Sequence, residues 1–395
     1  MTEIESNITS VNIEKGSVII AMSGGVDSSV AAALLVNQGY KVMGITMKLW
    51  GYVDTGGNIV EESRCCSLDD IYNAKDVCAQ LGIPHYTLDF SEKFRDTVIT
   101  NFVDEYKHGR TPNPCIVCNT KIKWESLLDK VDELGFDYIA TGHYANKVRD
   151  SESGQWMISK GKDSSKDQSY ALWGVGQEAL SRTLFPLGTL TKKEVRQMAA
   201  KSNLKSADTP ESQEICFVPD DNYRRFLNEK YPDEVKDIPK GNFVDGSGKI
   251  MGQHEGIHQY TIGQRKGLGI ATGERIFVNR IDVETNNIYV GSKEETLFSS
   301  FIVHKINLFT SLANLIGQKR DVMIRYNSDA KPARIFEREN SELLVIFDSP
   351  QSAITPGQSA VFFQGDNVLG GGNIKSVILD EFAIKKDEGN IYAKS

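Results

Sequence analysis

Two short stretches of the sequence carry residue types that could do chemistry. The first reads Ser-Gly-Gly-Val-Asp-Ser-Ser at Ser23–Ser29, and the second contains Cys115 and Cys118, with Cys216 much further along the chain. Glycines and hydroxyl groups ahead of a helix are typical of a phosphate-binding turn, whereas closely spaced thiols are typical of sulfur transfer or metal binding. Together the two stretches predict nucleotide activation followed by sulfur chemistry.

The phosphate-binding prediction depends on the elements around Ser23–Ser29. The apolar run Ser17–Met22 predicts a strand, and the segment from Ser28 to Gly39 predicts a helix. In a strand–turn–helix unit, the backbone N–H groups of the turn and the positive end of the helix dipole face a phosphate bound above the strand. The stretch has neither the Gly-x-x-x-x-Gly-Lys-Ser/Thr of P-loop kinases nor the Gly-x-Gly-x-x-Gly of dinucleotide-binding folds. We expect Asp27 to bind Mg²⁺ or to order the hydroxyl groups around the phosphates; the alternative is a plain glycine turn capped by a serine.

The cysteine pair lies in Gly109–Asn119, where Pro112 and Pro114 stiffen the chain and favour presentation of the thiols on a loop or at a helix start. Lys121 and Lys123 follow, and cations near a helix N-terminus lower the pKa of a thiol and favour its reactive thiolate form. A Cys-x-x-Cys pair is also half of a zinc site, but the sequence has no second such pair. Structural zinc and inert buried thiols remain alternatives to reactive or cluster-binding thiols, which the pattern favours.

Strand and helix patterns alternate through the N-terminal half, which indicates βαβ crossovers and a parallel sheet. The predicted strands there are Ser17–Met22, Lys41–Met47, Pro84–Phe90 and Tyr138–Ala140, and the later predicted helices are Leu68–Leu81, Glu92–Tyr106 and Lys123–Leu134. Ligands gather at the carboxyl ends of such strands, so we expect Met47 and Gly142–His143 to lie near Ser23–Ser29.

Short β-like runs between glycine-rich turns fill the C-terminal part and predict small β-domains. These runs are Arg275–Arg280, Asn287–Gly291, Val322–Tyr326, Leu343–Phe347 and Ser359–Phe363.

Composition is that of an ordinary globular chain: 395 residues, of which 40% are hydrophobic and 25% charged. No apolar run approaches the ~20 residues of a membrane span, and the acidic N-terminus does not resemble a signal peptide, so we expect a cytoplasmic protein with no membrane partner. Six cysteines in that compartment argue against a disulfide framework.

The net charge of −8 does not favour a nucleic-acid partner, but binding needs only one basic face. Candidate cations for such a face are Lys121, Lys123, Arg182, Lys192, Lys193, Arg196, Arg224, Arg225, Arg265, Lys266 and Arg325.

Taken in order, the motifs resemble those of the tRNA-specific 2-thiouridylases, which belong to the PP-loop ATP pyrophosphatases. The matching segments are Ser23–Ser29, Cys65–Ser67, Leu81–His85, Gly109–Asn119, Ala140–His143, Lys166–Tyr170, Glu214–Phe217 and Gly263–Gly269. The resemblance implies an α/β fold with an N-terminal doubly wound parallel-sheet PP-loop domain, similar to adenine nucleotide α hydrolases, a small β-rich central domain and a C-terminal β-barrel. The implied bounds are a tail at 1–16, the ATP-binding catalytic domain at 17–219, the tRNA-binding central domain at 220–295, the barrel at 296–384 and a tail at 385–395.

The resemblance implies an enzyme that replaces the C2 oxygen of wobble uridine 34 in the tRNAs for Lys, Glu and Gln with sulfur. ATP would first adenylate that oxygen, and AMP and pyrophosphate would be released. The implied ATP contacts are Ala21, Met22, Ser23, Gly24, Gly25, Val26, Asp27, Ser28, Met47 and Gly142. The implied tRNA contacts are Asn113, Pro114 and Cys115 on the target base, with His143, Lys166, Asp167, Gln168, Arg325, Tyr326 and Gln358 elsewhere. The implied partners are tRNA and a cysteine desulfurase or sulfur-relay protein, with the chain itself a monomer.

Two sulfur routes follow from the resemblance. In the first, Cys216 carries a persulfide, and Cys118 attacks it to free sulfide or forms the resolving disulfide with it. In the second, Cys115 joins both residues, and the three thiols ligate three irons of a [4Fe–4S] cluster. The second route arises because Cys115 stands where many family members carry Asp, so this chain has a third thiol. A further departure is Asn327, where relatives often carry a basic residue.

Two other functions are weighed against this one. A PP-loop amidating ligase, similar to GMP or NAD synthetase, would share the phosphate-binding turn but would not need the three cysteines. A non-catalytic tRNA-binding or sulfur-carrier module would not need an intact Ser23–Ser29.

Overall fold

The computed structural model describes residues 15–51, 68–151, 153–208, 215–218, 220–271, 273–326 and 328–379. Cys65, Cys66, Asn327 and most of the two predicted tails lie outside the described residues, as does the segment 209–214 ahead of Cys216. No helix among these described ranges is long and apolar enough to cross a membrane.

The N-terminal unit is built on a five-stranded sheet whose neighbouring strands are all parallel, in the order β3–β2–β1–β4–β7. The strands are β1 (Ser17–Ala21), β2 (Lys41–Lys48), β3 (His85–Asp89), β4 (Tyr138–Ala140) and β7 (Thr183–Leu184). Val18, Ile19 and Ile20 of the central strand are fully buried, as expected where helices cover both faces. The predicted parallel sheet is confirmed.

Helices pack around this sheet. They are α1 (Val26–Asn37), α2 (Leu68–Gln80), α3 (Ser91–Phe94), α4 (Thr100–Lys107), α5 (Pro114–Cys118), α6 (Leu127–Glu133), α7 (Gln177–Ser181) and α8 (Lys192–Lys201). Two π-helical segments, Arg95–Ile99 and Asn119–Ser126, make α3–α4 and α5–α6 continuous. The second run begins at Pro114 rather than at the predicted Lys123, because the wider π turn interrupts the apolar periodicity on which the sequence prediction depends. The cysteine pair therefore lies on a helix.

A small central unit follows. It contains the helices α9 (Tyr223–Lys230) and α10 (Pro232–Val235) and a four-stranded sheet in the order β10–β11–β8–β9. The strands are β8 (Gly241–Val244), β9 (Ile250–His254), β10 (Phe277–Asp282) and β11 (Asn287–Gly291). Phe243, Val278 and Ile288 are fully buried and form the centre of its core.

Six strands form a closed barrel at the C-terminus, in the order β12–β15–β14–β13–β16–β17, with β17 pairing back to β12. They are β12 (Leu297–Leu308), β13 (Lys319–Met323), β14 (Lys331–Arg338), β15 (Glu342–Ser352), β16 (Ser359–Gln364) and β17 (Asn367–Val377). The fold class expected from the family resemblance is confirmed, while the exact domain limits stay a prediction.

A hairpin of the N-terminal unit extends the barrel sheet. β5 (Ala145–Arg149) pairs with β6 (Trp156–Lys160), and β6 joins β17 through Ser159 and Asn367. Trp173, also N-terminal, packs on β17 so closely that a Cβ on Gly371 would lie 2.8 Å from its ring. The barrel is thus fixed directly against the unit that carries the phosphate-binding turn.

Candidate nucleotide and thiol site

The turn between β1 and α1 has the geometry of an anion-binding site. Gly24 has a φ of +77°, and a Cβ there would collide with the backbone of Asp70. The Ser28 hydroxyl accepts from Ser23 N and donates to Gly25 O, both at 3.2 Å. The N-cap of α1 is Gly25 rather than a serine, and no side-chain hydrogen bond caps the helix. Ser23 therefore does not cap α1, and the backbone N–H groups of its first turn stay available to a ligand. Phosphate binding at this turn stays a prediction.

Two predicted nucleotide contacts lie beside this turn. Met47 is next to last in β2, and Gly142 lies two residues beyond the end of β4; both strands flank β1. A Cβ on Gly142 would lie 2.9 Å from Ser28 N and 3.0 Å from Asp27 C, so only a glycine lets the β4 loop approach α1 this closely. The structure brings the predicted ATP contacts together, and their contact with ATP stays a prediction.

Asp27 has partners that sequence reasoning missed. Both of its carboxylate oxygens accept from Lys192 Nζ, at 2.8 and 2.7 Å, and Tyr144 Oη donates to Oδ1 at 2.7 Å. Tyr144 comes directly after the Gly142–His143 motif, so its closeness to the turn could have been inferred from the strand order. Lys192 was predicted only as a candidate surface cation, and no sequence signal connects it with Asp27.

The cysteine helix has a well-defined start. Asn113 is the N-cap of α5, its side chain accepts from Ile116 N at 3.4 Å, and Pro114 occupies the first turn. Cys115 points to the exposed side, whereas Cys118, one turn later, is only 8% exposed and lies in the core. The two thiols of the pair therefore occupy different environments.

The barrel holds the loop that leads into this helix. Gln358 Nε2 donates to the carbonyl oxygens of Thr111 and Pro112 at 3.1 and 2.9 Å, and Thr111 N donates to Pro356 O at 2.9 Å. A Cβ on Gly357 would lie 2.7 Å from Thr111 O, so this approach also needs a glycine. Gln358, predicted to contact tRNA, thus has a structural role that the sequence did not indicate.

The predicted tRNA loop at Lys166–Gln168 contacts Tyr144, which follows the β4 loop, on one side and Tyr326 of the barrel unit on the other. Gln168 Oε1 accepts from Tyr144 N at 3.0 Å, and Asp167 accepts from Gly161 N and from the hydroxyl of Ser169. The Tyr326 hydroxyl donates to Asp167 O at 3.3 Å.

Tyr326 also lies near the thiol helix. Its ring centroid is 6.0 Å from that of Tyr170, and burial, with Asp167 and Cys115 nearby, raises the pKa of its phenol. The neighbouring Arg325 is exposed. Asn113, Cys115, Asp167, Tyr326 and Gln358 are therefore brought to one surface between the N-terminal unit and the barrel.

His143 occupies a different environment from these residues. It is 8% exposed, hydrogen-bonded through Nδ1 to Thr141 Oγ1 at 2.8 Å, and packed 5.4 Å from the Trp124 ring. Burial, with Lys123 nearby, holds the pKa of its imidazole well below the usual value. His143 is thus a buried neutral histidine here, and its contact with tRNA stays a prediction.

Several candidate cations are already engaged with carboxylates. Lys121 pairs with Glu125, Arg182 with Asp132, Arg225 with Asp220 and Glu229, and Lys192 with Asp27. A basic face for nucleic acid would therefore depend mainly on the other candidates, such as Arg325.

Cys216 packs against the same apolar core that contains Cys118. The next residue, Phe217, is 1% exposed and packs edge-on to Phe94 and Phe102, with ring centroids 5.7 and 5.1 Å away. Among the described residues, which include all three predicted cysteines, no group of three or more His, Cys, Asp or Glu side chains is arranged to hold a metal ion. The thiols in this arrangement do not fit a [4Fe–4S] cluster.

Three family models match consecutive parts of the chain. They are the tRNA methyl transferase HUP domain at residues 16–220, the tRNA methyl transferase PRC-barrel domain at 224–292 and the aminomethyltransferase beta-barrel domain at 298–374. A protein named tRNA-specific 2-thiouridylase MnmA from Halothermothrix orenii is 50% identical over 359 residues, which cover 91% of this chain and 98% of that protein. Its namesake from Amoebophilus asiaticus is 48% identical over 367 residues, covering 92% and 96%. The chain belongs to the tRNA-specific 2-thiouridylase family.

Family membership confirms the resemblance drawn from the ordered motifs. The match to the 2-thiouridylases extends across all three structural units, so it is not limited to the phosphate-binding turn. Solved structures overlap much less: a 4-thiouridine synthetase in complex with RNA and bound ATP gives a TM-score of 0.33 at 15% identity, over 55% of this chain and 51% of that one.

Proposed function

We propose that this protein is a tRNA-uridine 2-sulfurtransferase that replaces the C2 oxygen of a wobble uridine with sulfur after activation by ATP. The observation that carries the proposal is the continuity of the site. Asp27 in the phosphate-binding turn bonds to Tyr144, Tyr144 bonds to Gln168, and the adjacent Asp167 bonds to Tyr326 beside Cys115. One hydrogen-bonded network thus links the phosphate-binding turn to the neighbourhood of the thiol helix, which supports activation followed by sulfur transfer.

The nucleotide half of the site supports adenylation. The N-terminal end of α1 offers backbone N–H groups and a partial positive charge to ATP phosphates. Uridine O2 would attack the α-phosphorus, and pyrophosphate would leave. A Mg²⁺ ion that enters with ATP needs one or two protein carboxylates, with phosphates and waters as its other ligands. Asp27 fits that requirement, and the ion would neutralise charge on the phosphates.

The thiol half supports a persulfide route. Cys216 would carry the sulfane sulfur, and attack by the Cys118 thiolate on the Cys216 sulfur would form a disulfide and release sulfide. Sulfide would then displace AMP from C2 of the activated uridine. An external thiol reductant would supply the two electrons that return the disulfide to two thiols. The burial of Cys118 and Cys216 in and against one core is consistent with a protected transfer.

The proposed nucleic-acid substrate is tRNA, in line with the names of the relatives. The tRNAs for Lys, Glu and Gln are the proposed subset, and a cysteine desulfurase or a sulfur-relay protein is the proposed donor. Enzymes that act on a base commonly take it out of the stack into a pocket. The surface around Asn113 and Cys115 is the proposed pocket for the flipped uridine, with Pro114 between them.

The test is nucleoside mass spectrometry after incubation of the protein with unmodified tRNA, Mg-ATP and a persulfide donor. Wild type should form 2-thiouridine only with ATP, and Cys216→Ala and Cys118→Ala should form almost none. Cys78→Ala is the matched control, because this buried cysteine lies in α2, outside the proposed site. Full activity of Cys216→Ala with the persulfide donor would contradict the persulfide route, and ATP-independent product would contradict adenylation.

A further inference from the structure

A buried lysine lies beside the phosphate-binding turn and has no role in the function proposed above. Lys192 is 9% exposed, and its ammonium donates to both oxygens of Asp27 at 2.8 and 2.7 Å. Asp27 is the second residue of α1, so its carboxylate lies in the first helical turn. The ammonium of Lys192 is therefore located where ATP phosphates would meet the helix.

The backbone of Lys192 is held firmly in this position. Lys192 is the first residue of α8, and Thr191 and Glu194 form a capping box around that helix start. The backbone N of Lys192 donates to Asp163 Oδ2 at 2.9 Å, and Glu194 pairs with Lys162 at 2.8 Å. Since the helix start is anchored from two directions, the reach of the side chain is limited to the region around the turn.

Charge explains why a cation is needed here. Asp27 and the phosphates of ATP are both negative, and like charges a few ångströms apart repel strongly at a partly buried site. The ammonium offsets this repulsion by pairing with Asp27. A lysine can also change partners, because its compact charge sits on a flexible four-carbon stem.

We propose that Lys192 is a catalytic residue of adenylation, whose ammonium moves from Asp27 to the phosphates of bound ATP and stabilises the departing pyrophosphate. This inference rests on the function proposed above. In the step, a bond forms between uridine O2 and the α-phosphorus while the bond from that phosphorus to the bridging oxygen breaks. The electron pair stays on pyrophosphate, where the ammonium contacts the added charge. No redox partner is required.

A purely structural role would be different, because Lys192 would then act only by neutralising Asp27. The two roles can be distinguished in an Asp27→Asn variant, which has no carboxylate at position 27 for Lys192 to neutralise. If Lys192 contacts the phosphates, Lys192→Gln still lowers kcat on that background. Neither Asp27→Asn nor the double variant contains an unpaired carboxylate at position 27, so the comparison holds even where Lys192→Gln alone fails to fold.

The experiment measures tRNA-dependent AMP formation at saturating ATP, with melting temperature as a check of folding. Lys192→Gln should lower kcat about 10²-fold, whereas Lys201→Gln, a change at the exposed last residue of α8, should match wild type. Adding Lys192→Gln to the Asp27→Asn variant should lower kcat by a similar factor. Wild-type kcat in folded Lys192→Gln, or no further loss on that background, would overturn the proposal. A wild-type protein that forms no AMP would instead overturn the function on which it rests.

Discussion

At the scale of single residues, the shape of the nucleotide site depends on positions where two backbone segments lie so close together that only glycine fits. Gly142 is the clearest case, because a Cβ there would enter the space of Ser28 N and the Asp27 carbonyl carbon. Gly142→Ala should therefore displace the turn and raise the KM for ATP roughly 10- to 100-fold, the range expected for overpacking. ATP titrations of tRNA-dependent AMP formation would measure this effect.

Gly176→Ala is the control for that substitution. Gly176 is the N-cap of α7 with a φ of −74°, and nothing lies within 4 Å of the Cβ it would gain. It should keep the wild-type KM. An unchanged KM in Gly142→Ala would contradict the close approach between the β4 loop and α1.

The sequence predicted the main chemistry-bearing residues but not their partners. The turn and the cysteines could be found because local patterns identify them, and the ordered motifs pointed to the family. Lys192 could not be assigned to Asp27, because a contact between residues this far apart in sequence depends on the packing of α8. The strand order places Tyr144 near the turn but does not identify Asp27 as its partner. The buried state of His143 was likewise a matter of packing against Trp124.

At the scale of elements, the contact most important for the proposed activity joins the barrel to the loop that leads into the cysteine helix α5. Gln358→Ala removes two hydrogen bonds to Thr111 and Pro112. Each is worth about 1 kcal/mol, so docking of the loop should weaken by about 2 kcal/mol and 2-thiouridine formation should slow roughly 10-fold or more. The measurement is kcat for thiolation alongside the Kd for ATP, which should not change because the nucleotide turn is untouched.

Gln351→Ala provides the comparison, since that amide bonds locally to Ser349 within the barrel. It should have wild-type kcat. A Gln358 variant that loses ATP affinity and keeps thiolation would contradict this division between the two halves of the site.

Regular strands and helices were largely predictable, whereas irregular ones were not. β11 and β4 have the predicted bounds, because their apolar patterns are short and clear. The sequence left a loop or a helix start open for the cysteines at Pro114, because a π turn breaks the periodicity of the segment after it. β17 was missed because three consecutive glycines, Gly370–Gly372, have low strand propensity, and only the packing of Trp173 and β12 explains them.

At the scale of the whole molecule, buried histidines should make stability depend on pH. Burial lowers the pKa of His143, of His254 and of His258, the last to about 4. The folded pKa lies below the unfolded value of about 6.5, so the unfolded chain binds more protons and acidification favours unfolding. Each histidine should remove up to about 1 kcal/mol on going from pH 6.5 to 5.5.

Urea denaturation at pH 7.5 and pH 5.5 would measure this loss in wild type and in His258→Gln. The variant should lose less stability on acidification by about 1 kcal/mol, and a change at the exposed His108 should leave the wild-type loss intact. Equal losses in wild type and His258→Gln would show that His258 is not a neutral group in the folded protein.

The most direct test of the account follows the oxygen that leaves uridine. tRNA made with oxygen-18 at the C2 position of its uridines would be incubated with the protein, Mg-ATP and a persulfide donor, and the AMP formed would be analysed by mass spectrometry. Adenylation of that oxygen predicts AMP that carries the heavy isotope, in a one-to-one ratio with 2-thiouridine. Unlabelled AMP, or thiouridine formed with ADP as the nucleotide product, would contradict activation of the base by the PP-loop site.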